Sequence, residues 1–285
     1  MRAGLVFVAA LGLAACGRRD AVPAARHVID ATGVLVALPA EVKRVVATVP
    51  GLSETVAALG ARARLVGVSE KDALGDGPGA PARIPTWPSI SAERVAALEP
   101  DLILVDPTLS PHDVQGLRAH FGCVFASNST SLDGLATTFA RLGEALGRPE
   151  EAARLVAELA SARRTVRVEG RPRVLLLTWA DPVMALGPGS LLDDMLRSIG
   201  AENVAADLGR PSGEISAERV VAKAPDFILL TGGVFPERLR HDWSSVPAVA
   251  AHRIVDASAD DLVRAGPGTA RALVRLAELL TEARR

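Results

Sequence analysis

The sequence contains no tyrosine, and aromatic residues make up only 3% of its 285 positions. A binding site built from this chain therefore has few aromatic side chains to use, and none of them is a phenol. Only two cysteines are present, Cys16 and Cys123, which excludes a framework of several disulfides. The formal net charge of −1 implies no basic face, which argues against a nucleic-acid partner.

Recognised metal and catalytic signatures are also missing. The five histidines are scattered, with no i,i+4 pair and no spacing typical of a metal site, so we predict no bound metal and no resident cofactor. Gly187-Pro-Gly189-Ser has Leu192 where a dinucleotide fingerprint needs its third glycine, and no Gly-x-Ser-x-Gly elbow occurs. These absences argue against an enzyme.

Residues 1–15 have the pattern of an export signal, with a basic start and an apolar run from Leu5 to Leu13 that is too short to span a bilayer. The string Leu-Ala-Ala-Cys that ends at Cys16 resembles the lipobox of bacterial lipoproteins. The resemblance implies a mature protein that begins at Cys16 and is lipid-anchored on the periplasmic or extracytoplasmic side of a membrane, with residues 16–27 as a polar tether. A chance cysteine in an apolar leader is the alternative.

One phrase of sequence occurs twice. Ile90–Val95 and Ile215–Val220 both read ISAERV, and each leads to Pro-Asp and an Ile-Leu pair at the same offset of 125 residues. Over these 16 positions, 11 are identical. Self-similarity at one long offset predicts a duplicated lobe, whereas a solenoid unit recurs many times at a short period. Two similar lobes that face each other form a cleft, and such clefts bind small ligands.

Apolar β-branched runs alternate with helical patterns in both halves, which predicts two α/β lobes built on parallel-type sheets. The N-terminal lobe is predicted to span residues 28–148 and to open with a hairpin over 28–38. The stretch 69–86, rich in Gly, Pro and Asp, is predicted to be irregular. A long rigid helix of about 30 Å is predicted to join the lobes in 149–169, and the C-terminal lobe then spans 170–285.

The order of several short motifs resembles one family of proteins. The motifs, spread through residues 28–281, include Asp30-Ala-Thr-Gly33, Leu65-Val-Gly-Val68, Pro188-Gly-Ser, Gly200-Ala-Glu-Asn-Val204 and Thr231-Gly-Gly233. Together they resemble the substrate-binding proteins of ABC importers for cobalamin, iron-siderophores and haem. The resemblance implies two lobes bridged by one backbone helix, a monomer with a small-molecule ligand in its cleft, and a permease dimer with a cytoplasmic ATPase as partners.

Four residues are candidates for ligand binding. Trp87 matches a tryptophan that faces the corrin ring in cobalamin binders, and Asp260 with Arg264 aligns with a charged pair that touches the ligand there. Trp179 follows an apolar run at 174–178, and the carboxyl end of a parallel strand commonly borders a cleft. Packing inside a lobe is the alternative for both tryptophans. An exposed helical ion pair is the alternative for Asp260 and Arg264, which are four residues apart.

The resemblance favours a cobalamin-like corrinoid as the ligand, although polar residues such as Asp106 stand where cobalamin binders place further aromatics. A ferric siderophore or haem is the alternative ligand. Haem binders of this family usually supply Tyr or His to the iron, whereas siderophore binders often use arginines such as Arg83, Arg210 and Arg264. A chelatase-like enzyme of the same general fold is a remote alternative, because it would need clustered His or Cys.

Glu93 and Glu218 occupy equivalent places in the two copies of ISAERV, so each is predicted to lie on the outer rim of its own lobe. In the family that the chain resembles, matching glutamates dock onto arginines of the two permease subunits. Charge pairs of this kind set orientation and association rate in reversible contacts. The alternative is a purely local role, because a glutamate just after a Ser N-cap stabilises its helix through the dipole.

Overall fold

The computed structural model describes residues 26–74, 77, 79–106, 111–232, 235–257 and 260–283, without the side chains of Pro111, Asp260 and Asp261. The predicted export signal and the predicted lipidation site, Cys16, lie outside the described residues. Within the described part of the chain, no helix combines the length and the apolar character needed to cross a membrane.

The N-terminal half opens with the predicted hairpin and continues into a parallel sheet flanked by helices. Its strands are β1 (Arg26–Ile29), β2 (Leu35–Leu38), β3 (Val45–Ala47), β4 (Leu65–Ser69), β5 (Ala82–Ile84), β6 (Leu102–Val105) and β7 (Val124–Ala126). Its helices are α1 (Pro50–Ala58), α2 (Ala92–Ala96) and α3 (Pro111–His120). β1 and β2 pair antiparallel, and the other strands form a parallel sheet in the order β5-β4-β3-β6-β7.

The inner strands of this sheet follow directly from their composition. Every residue of β3 and β6 is buried, and both strands are continuous apolar runs, as expected where helices cover both faces of a parallel sheet. The prediction of an irregular stretch over 69–86 is wrong in one part, because β5 lies within it. β5 has three residues, of which only Ile84 is buried, and a strand that short shows no periodicity in the sequence.

Two long helices, α4 (Leu132–Leu146) and α5 (Pro149–Thr165), follow β7. α5 ends at Thr165, four residues before the predicted end at 169, because Val166 adopts an extended backbone with φ −79° and ψ 124°. The two helices are joined by only Gly147 and Arg148 and pack closely. A Cβ at Gly143 would lie 2.3 Å from that of Ala152, so the absence of a side chain at Gly143 permits this approach.

The C-terminal half contains a mixed sheet. Its strands are β8 (Arg173–Ala180), β9 (Val183–Leu186), β10 (Glu202–Asn203), β11 (Ser212–Glu214), β12 (Phe227–Leu230) and β13 (Ile254–Asp256). Its helices are α6 (Leu191–Ser198), α7 (Ala217–Lys223), α8 (Glu237–Asp242), α9 (Pro247–Ala250), α10 (Asp260–Val263) and α11 (Thr269–Glu282). β10, β12 and β13 run parallel within the sheet, whereas β9 and β11 are antiparallel additions to the parallel type predicted.

The duplicated sequence forms the same structural unit in both lobes. Ser91 and Ser216 each accept a hydrogen bond from the backbone N–H three residues later and so cap α2 and α7. The strands that follow, β6 and β12, pair in parallel with the first sheet strand of their lobe. The repeated aspartates anchor that pairing, because Asp101 accepts from the backbone N–H groups of Lys43 and Arg44, and Asp226 accepts from that of Arg173.

Helices α4 and α5 belong to the cores of both lobes. The first half of α4, through Phe139, packs into the C-terminal core, and its second half, from Leu142, packs into the N-terminal core. α5 runs back in the opposite sense, with Ala152 in the N-terminal core and Leu159 in the C-terminal core. Leu155 packs against both cores. The lobes are therefore joined by a helical hairpin whose two members each bridge them, rather than by α5 alone.

Asp30 connects the β1–β2 hairpin to the rest of the N-terminal lobe. Its buried carboxylate accepts hydrogen bonds from the backbone N–H groups of Thr32, Val34 and Ala126 at 2.8, 2.9 and 3.1 Å. It also pairs with Arg118 of α3 at 2.7 Å. One carboxylate thus joins the hairpin, β7 and α3.

Asp30→Asn is expected to lower the free energy of unfolding by about 2–4 kcal/mol, because the amide nitrogen would face N–H donors in a buried position. Urea denaturation followed by circular dichroism measures the change. Glu278→Gln is the matched control, since Glu278 pairs with Arg275 at 3.4 Å on the surface and such pairs contribute roughly 0–1 kcal/mol. A loss for Asp30→Asn no larger than that of the control would contradict this role.

Candidate functional site

A cleft of about 620 Å³ lies between the lobes, within the usual range for small-molecule sites of roughly 300–1,000 Å³. The N-terminal lobe lines it with Val49, Pro50, Gly51, Asp106, Ser129 and Thr130. The C-terminal lobe contributes Leu186, Gly189–Leu192, Pro211, Ser212 and Leu262–Ala265. Most of these side chains are apolar, with hydroxyl groups interspersed and two charged groups, Asp106 and Arg264.

The parallel sheet explains why the N-terminal lining segments meet. Val49–Gly51 follows β3, Asp106 directly follows β6, and Ser129 follows β7. The carboxyl ends of parallel strands lie at one edge of a sheet, where α/β proteins bind their ligands. Loops that are far apart in the sequence therefore line one wall of the cleft.

Asp106 is fixed in this wall by two serines. Its carboxylate accepts a hydrogen bond from the Ser127 hydroxyl at 2.6 Å on one oxygen and from the Ser129 hydroxyl at 3.0 Å on the other. Only 5% of the Asp106 surface is exposed. Asp106 stands where cobalamin binders place an aromatic residue, but it was not among the four candidates for ligand binding. Its position immediately after a fully buried parallel strand is the signal that indicates such a role.

The lobes also touch directly at one side of the cleft. Nη1 of Arg264 donates to Oε1 of Glu54, in the middle of α1, over 2.5 Å. Beside this pair, a Cβ on Gly51 would lie 1.9 Å from the carbonyl oxygen of Ala265, so only glycine fits there. Glu54 and Arg264 are 210 residues apart, and nothing in a single sequence indicates that they pair.

These contacts involve one member of the predicted charged pair, Asp260 and Arg264. Arg264 does line the cleft, but it lies one residue beyond α10 and its guanidinium is engaged by the opposite lobe. Asp260 begins α10, and its side chain is outside the described residues. Arg83, considered for an anionic chelate, instead donates to the backbone carbonyls of Asp72 and Leu74 and so stabilises its own loop. The roles of Asp260 and Arg264 toward a ligand remain predictions.

The three tryptophans differ sharply in exposure. Trp87, three residues after β5, is 79% exposed, and Trp179, near the carboxyl end of β8, is 58% exposed. The indole N–H of Trp179 donates to the carbonyl of Asp181 at 2.7 Å. Trp243 is fully buried in the C-terminal core against Phe235. Trp87 and Trp179 are therefore not lobe-packing residues, although neither is among the residues that line the 620 Å³ cleft.

Glu93 and Glu218 are both exposed in the first turn of their helices, α2 and α7. A helix that leads straight into a parallel strand runs against it, so its amino end lies toward the carboxyl edge of the sheet, where ligands bind. The backbone N–H of Glu218 and the hydroxyl of Ser216 hold the pKa of the Glu218 carboxyl below its usual value. Glu218 is therefore a carboxylate at neutral pH, as docking onto an arginine requires.

Metal-binding side chains do not cluster among the described residues, and the one cysteine there has an unreactive thiol. No cluster of three or more His, Cys, Asp or Glu side chains there could hold a metal ion. Cys123 is partly buried, and burial raises the pKa of its thiol to about 11. Because the thiolate is the reactive form, this cysteine is a poor nucleophile at neutral pH.

Two α/β lobes that meet over a mainly apolar cleft define a protein that binds a small molecule between its lobes. A family model described as periplasmic binding protein matches residues 45–260, more than half of the chain, and the chain belongs to that family. The resemblance drawn from the sequence motifs is thereby confirmed.

Individual relatives agree with this assignment. An uncharacterized ABC transporter substrate-binding lipoprotein of Bacillus subtilis is 26% identical over 306 residues, covering 97% of this chain and 96% of that protein. A vitamin B12-binding protein of Yersinia pseudotuberculosis is 28% identical over 204 residues, covering 70% of this chain and 73% of that protein. The solved structure of a periplasmic heme-binding protein from Roseiflexus matches with a TM-score of 0.71 and 28% identity, covering 86% of this chain and 100% of that one.

Gly51→Ala is expected to separate Glu54 from Arg264, because the new methyl group forces α1 and the turn at Ala265 apart. We expect the variant to lose about 1–3 kcal/mol of stability, as overpacked sites do. Glu54→Gln is then expected to cost less in the Gly51→Ala background than in the wild type, where a partly exposed pair contributes at most about 1 kcal/mol. Equilibrium unfolding of the wild type, the two single variants and the double variant measures this coupling.

Gly116→Ala provides the control for that cycle. Gly116 lies within α3, and a Cβ there would meet no atom within 4 Å. The cost of Glu54→Gln is expected to be the same with and without Gly116→Ala. Additive effects of Gly51→Ala and Glu54→Gln would show that the two interlobe contacts are independent.

Proposed function

We propose that the protein is the substrate-binding lipoprotein of an ABC importer, not an enzyme, and that it captures a cobalamin-like corrinoid between its lobes for delivery to a permease. The observation that carries the choice of ligand is the exposure of two indoles, Trp87 in one lobe and Trp179 in the other, while Trp243 is buried. The vitamin B12-binding relative supports the same choice.

Covering an exposed indole with a ligand removes apolar surface from water, which favours binding. An aromatic side chain of this size removes about 150–250 Å² from water when it is fully buried. Stacking on a planar ring adds roughly 0.5–1.5 kcal/mol for each aromatic contact. The proposal is that a broad flat macrocycle held over the cleft covers both Trp87 and Trp179. Asp260 and Arg264, which begin and follow α10, are proposed to contact its polar rim.

Haem or a ferric siderophore is the second candidate, and the heme-binding relative from Roseiflexus supports it. Against haem, the chain has no tyrosine to bind the iron. Against a strongly anionic siderophore, two of the three arginines considered for it are engaged within the protein, Arg83 by its own loop and Arg264 by Glu54. These engagements leave the corrinoid as the better-supported ligand.

The family and the sequence also support a proposal for the place of action and the partners. We propose that residues 1–15 direct export, that Cys16 carries the lipid anchor, and that the monomer works on the extracytoplasmic side of a membrane. The relative from Bacillus subtilis, named as a lipoprotein of an ABC transporter, supports this proposal. The proposed partners are a permease dimer and the cytoplasmic ATPase that works with it. Glu93 and Glu218 are proposed to contact the two permease subunits, one from each lobe.

Titration of a soluble form without residues 1–16 tests the ligand and its site together. Cobinamide is expected to quench tryptophan emission, and Trp87→Ala and Trp179→Ala are each expected to weaken binding about 5- to 150-fold, equivalent to roughly 1–3 kcal/mol. Trp243→Phe is the control, because it changes a core residue and is expected to keep the affinity. Tight binding of haem or a ferric hydroxamate without binding of cobinamide would replace the leading ligand by the second candidate.

Charge reversal of the twin glutamates separates docking from ligand capture. Glu93→Arg with Glu218→Arg is expected to leave the dissociation constant unchanged and to abolish uptake in a strain that lacks its own binding protein. Each single variant is expected to retain part of the transport, because the other lobe still presents its carboxylate. Normal transport by the double variant would assign both residues to helix capping alone.

A further inference from the structure

We propose that Arg238 is a positioning residue for Trp179, whose ring it holds in the orientation that stacks on a ligand beside the cleft. It acts through the turn between β8 and β9 and does not contact the ligand itself. The inference rests on the proposed function, because it concerns how one of the two exposed indoles meets the ligand. It also defines the contact, since Trp179 held in this way offers a ring and no hydrogen-bond donor.

A shift of register in the β8–β9 pairing determines the direction of the Trp179 side chain. Leu177 pairs with Ala185, but Trp179 pairs with Met184, so two steps along β8 correspond to one step along β9. An extra residue of this kind is a β-bulge, which often redirects a side chain next to a functional site. Leu177 and Ala185 are buried in the core of the C-terminal lobe. With regular pairing, Trp179 would point toward that core as well, because it is two residues beyond Leu177.

The bulge instead places Trp179 on the face of the sheet that continues into the cleft. Residues that pair directly share a face, so Trp179 and Met184 lie on the same side. Side chains two positions apart on a strand also share a face, which adds Leu186 to that side. Leu186 lines the cleft, and Trp179 is 58% exposed. A ligand that extends from the cleft over Leu186 and Met184 would therefore meet the ring of Trp179.

Arg238 of α8 fixes the turn that carries Trp179. Nη2 of Arg238 donates to the backbone carbonyl of Ala180 at 3.1 Å and lies 3.0 Å from Oδ2 of Asp181. The indole N–H of Trp179 donates in turn to the backbone carbonyl of Asp181 at 2.7 Å. Arg238 is 58 residues away from Ala180 in the sequence, so it connects the turn to a separate element. Both the indole and the backbone that accepts its hydrogen bond are therefore held.

This arrangement has two consequences for binding. An indole has one N–H donor and no acceptor, and the N–H of Trp179 is already used within the turn. A ligand therefore contacts the apolar ring, which favours a planar ligand that stacks on it. A side chain that already has its bound orientation also loses little rotamer freedom on binding, which improves the affinity.

The NMR signals of the indole N–H groups test the positioning without any ligand. In Arg238→Ala with isotope-labelled tryptophan, we expect the Trp179 signal to shift toward that of a fully exposed indole and to exchange faster with water. The reason is that the carbonyl of Asp181 is no longer held in place to accept its hydrogen bond. The Trp243 signal is the internal reference, since that side chain is buried in the core.

Arg240→Ala is the matched control for this experiment. Arg240 lies on the same helix, but it pairs with Glu237 at 3.5 Å and lies over the Phe235 ring. Its substitution is expected to leave the Trp179 signal in place. Arg238→Lys, which keeps the charge but loses the planar guanidinium, is expected to restore the Trp179 signal only in part.

A double-mutant cycle connects the positioning to ligand binding. Arg238→Ala is expected to weaken cobinamide binding about 3- to 10-fold, a modest effect because the pair of Arg238 with Asp181 is exposed to water. In a Trp179→Ala background the same change is expected to weaken binding by less than about twofold, because Arg238 acts only through that ring. Calorimetric titration of the wild type, the two single variants and the double variant measures the coupling. Equal weakening in both backgrounds would contradict a role that runs through Trp179.

The outcomes separate this inference from the proposed function. An unchanged Trp179 signal in Arg238→Ala would overturn the inference even if cobinamide binds tightly, and the proposed function would stand. Equal cobinamide affinities of the wild type and Arg238→Ala would have the same meaning. If haem binds and cobinamide does not, the leading ligand is wrong, and the same cycle with haem decides the inference. Binding of neither would overturn both.

Discussion

The structure depends on the sharing of two helices between two cores. α4 and α5 each bury side chains in both lobes, and Leu155 contacts both cores at once. Changing the angle between the lobes would expose apolar surface on both helices, at roughly 25 cal/mol for each Å². Because native packing is dense and resists continuous deformation, the lobes hold a nearly fixed relation. We therefore expect the cleft to be largely formed before a ligand arrives.

The interlobe contacts depend on this fixed arrangement of the two lobes. Glu54 can pair with Arg264, and Gly51 can abut Ala265, only because the shared helices hold the two walls at one distance. In a binding protein with a preformed cleft, closing the lobes costs little of the binding free energy. Its selectivity then depends on the chemistry of the walls, where an oriented carboxylate and a guanidinium already balanced by Glu54 face a mainly apolar space.

The sequence predicts well those features that depend on residues close together along the chain. The Ser caps and Pro-Asp anchors of the repeat lie within a few residues of the elements that they control, so the two equivalent helix–strand units were identifiable from 16 positions. β5 was missed because three residues carry no period. The pairing of Glu54 with Arg264 and the participation of α4 in both lobes depend on tertiary packing, to which no local pattern corresponds. The sequence also could not predict that Trp87 and Trp179 are exposed, because a tryptophan is equally suited to packing inside a lobe and to contacting a ligand.

Hydrogen exchange of the backbone amides, with and without saturating cobinamide, tests most directly whether the ligand binds between the lobes. The central claim predicts simultaneous protection of both walls: residues 49–54 and 127–132 in the N-terminal lobe, and 187–192 and 262–266 in the C-terminal lobe. The amides of α4 and α5 are expected to change little, because the helices that join the lobes do not rearrange. Protection confined to a single lobe, or to the β1–β2 hairpin, would contradict capture in the cleft.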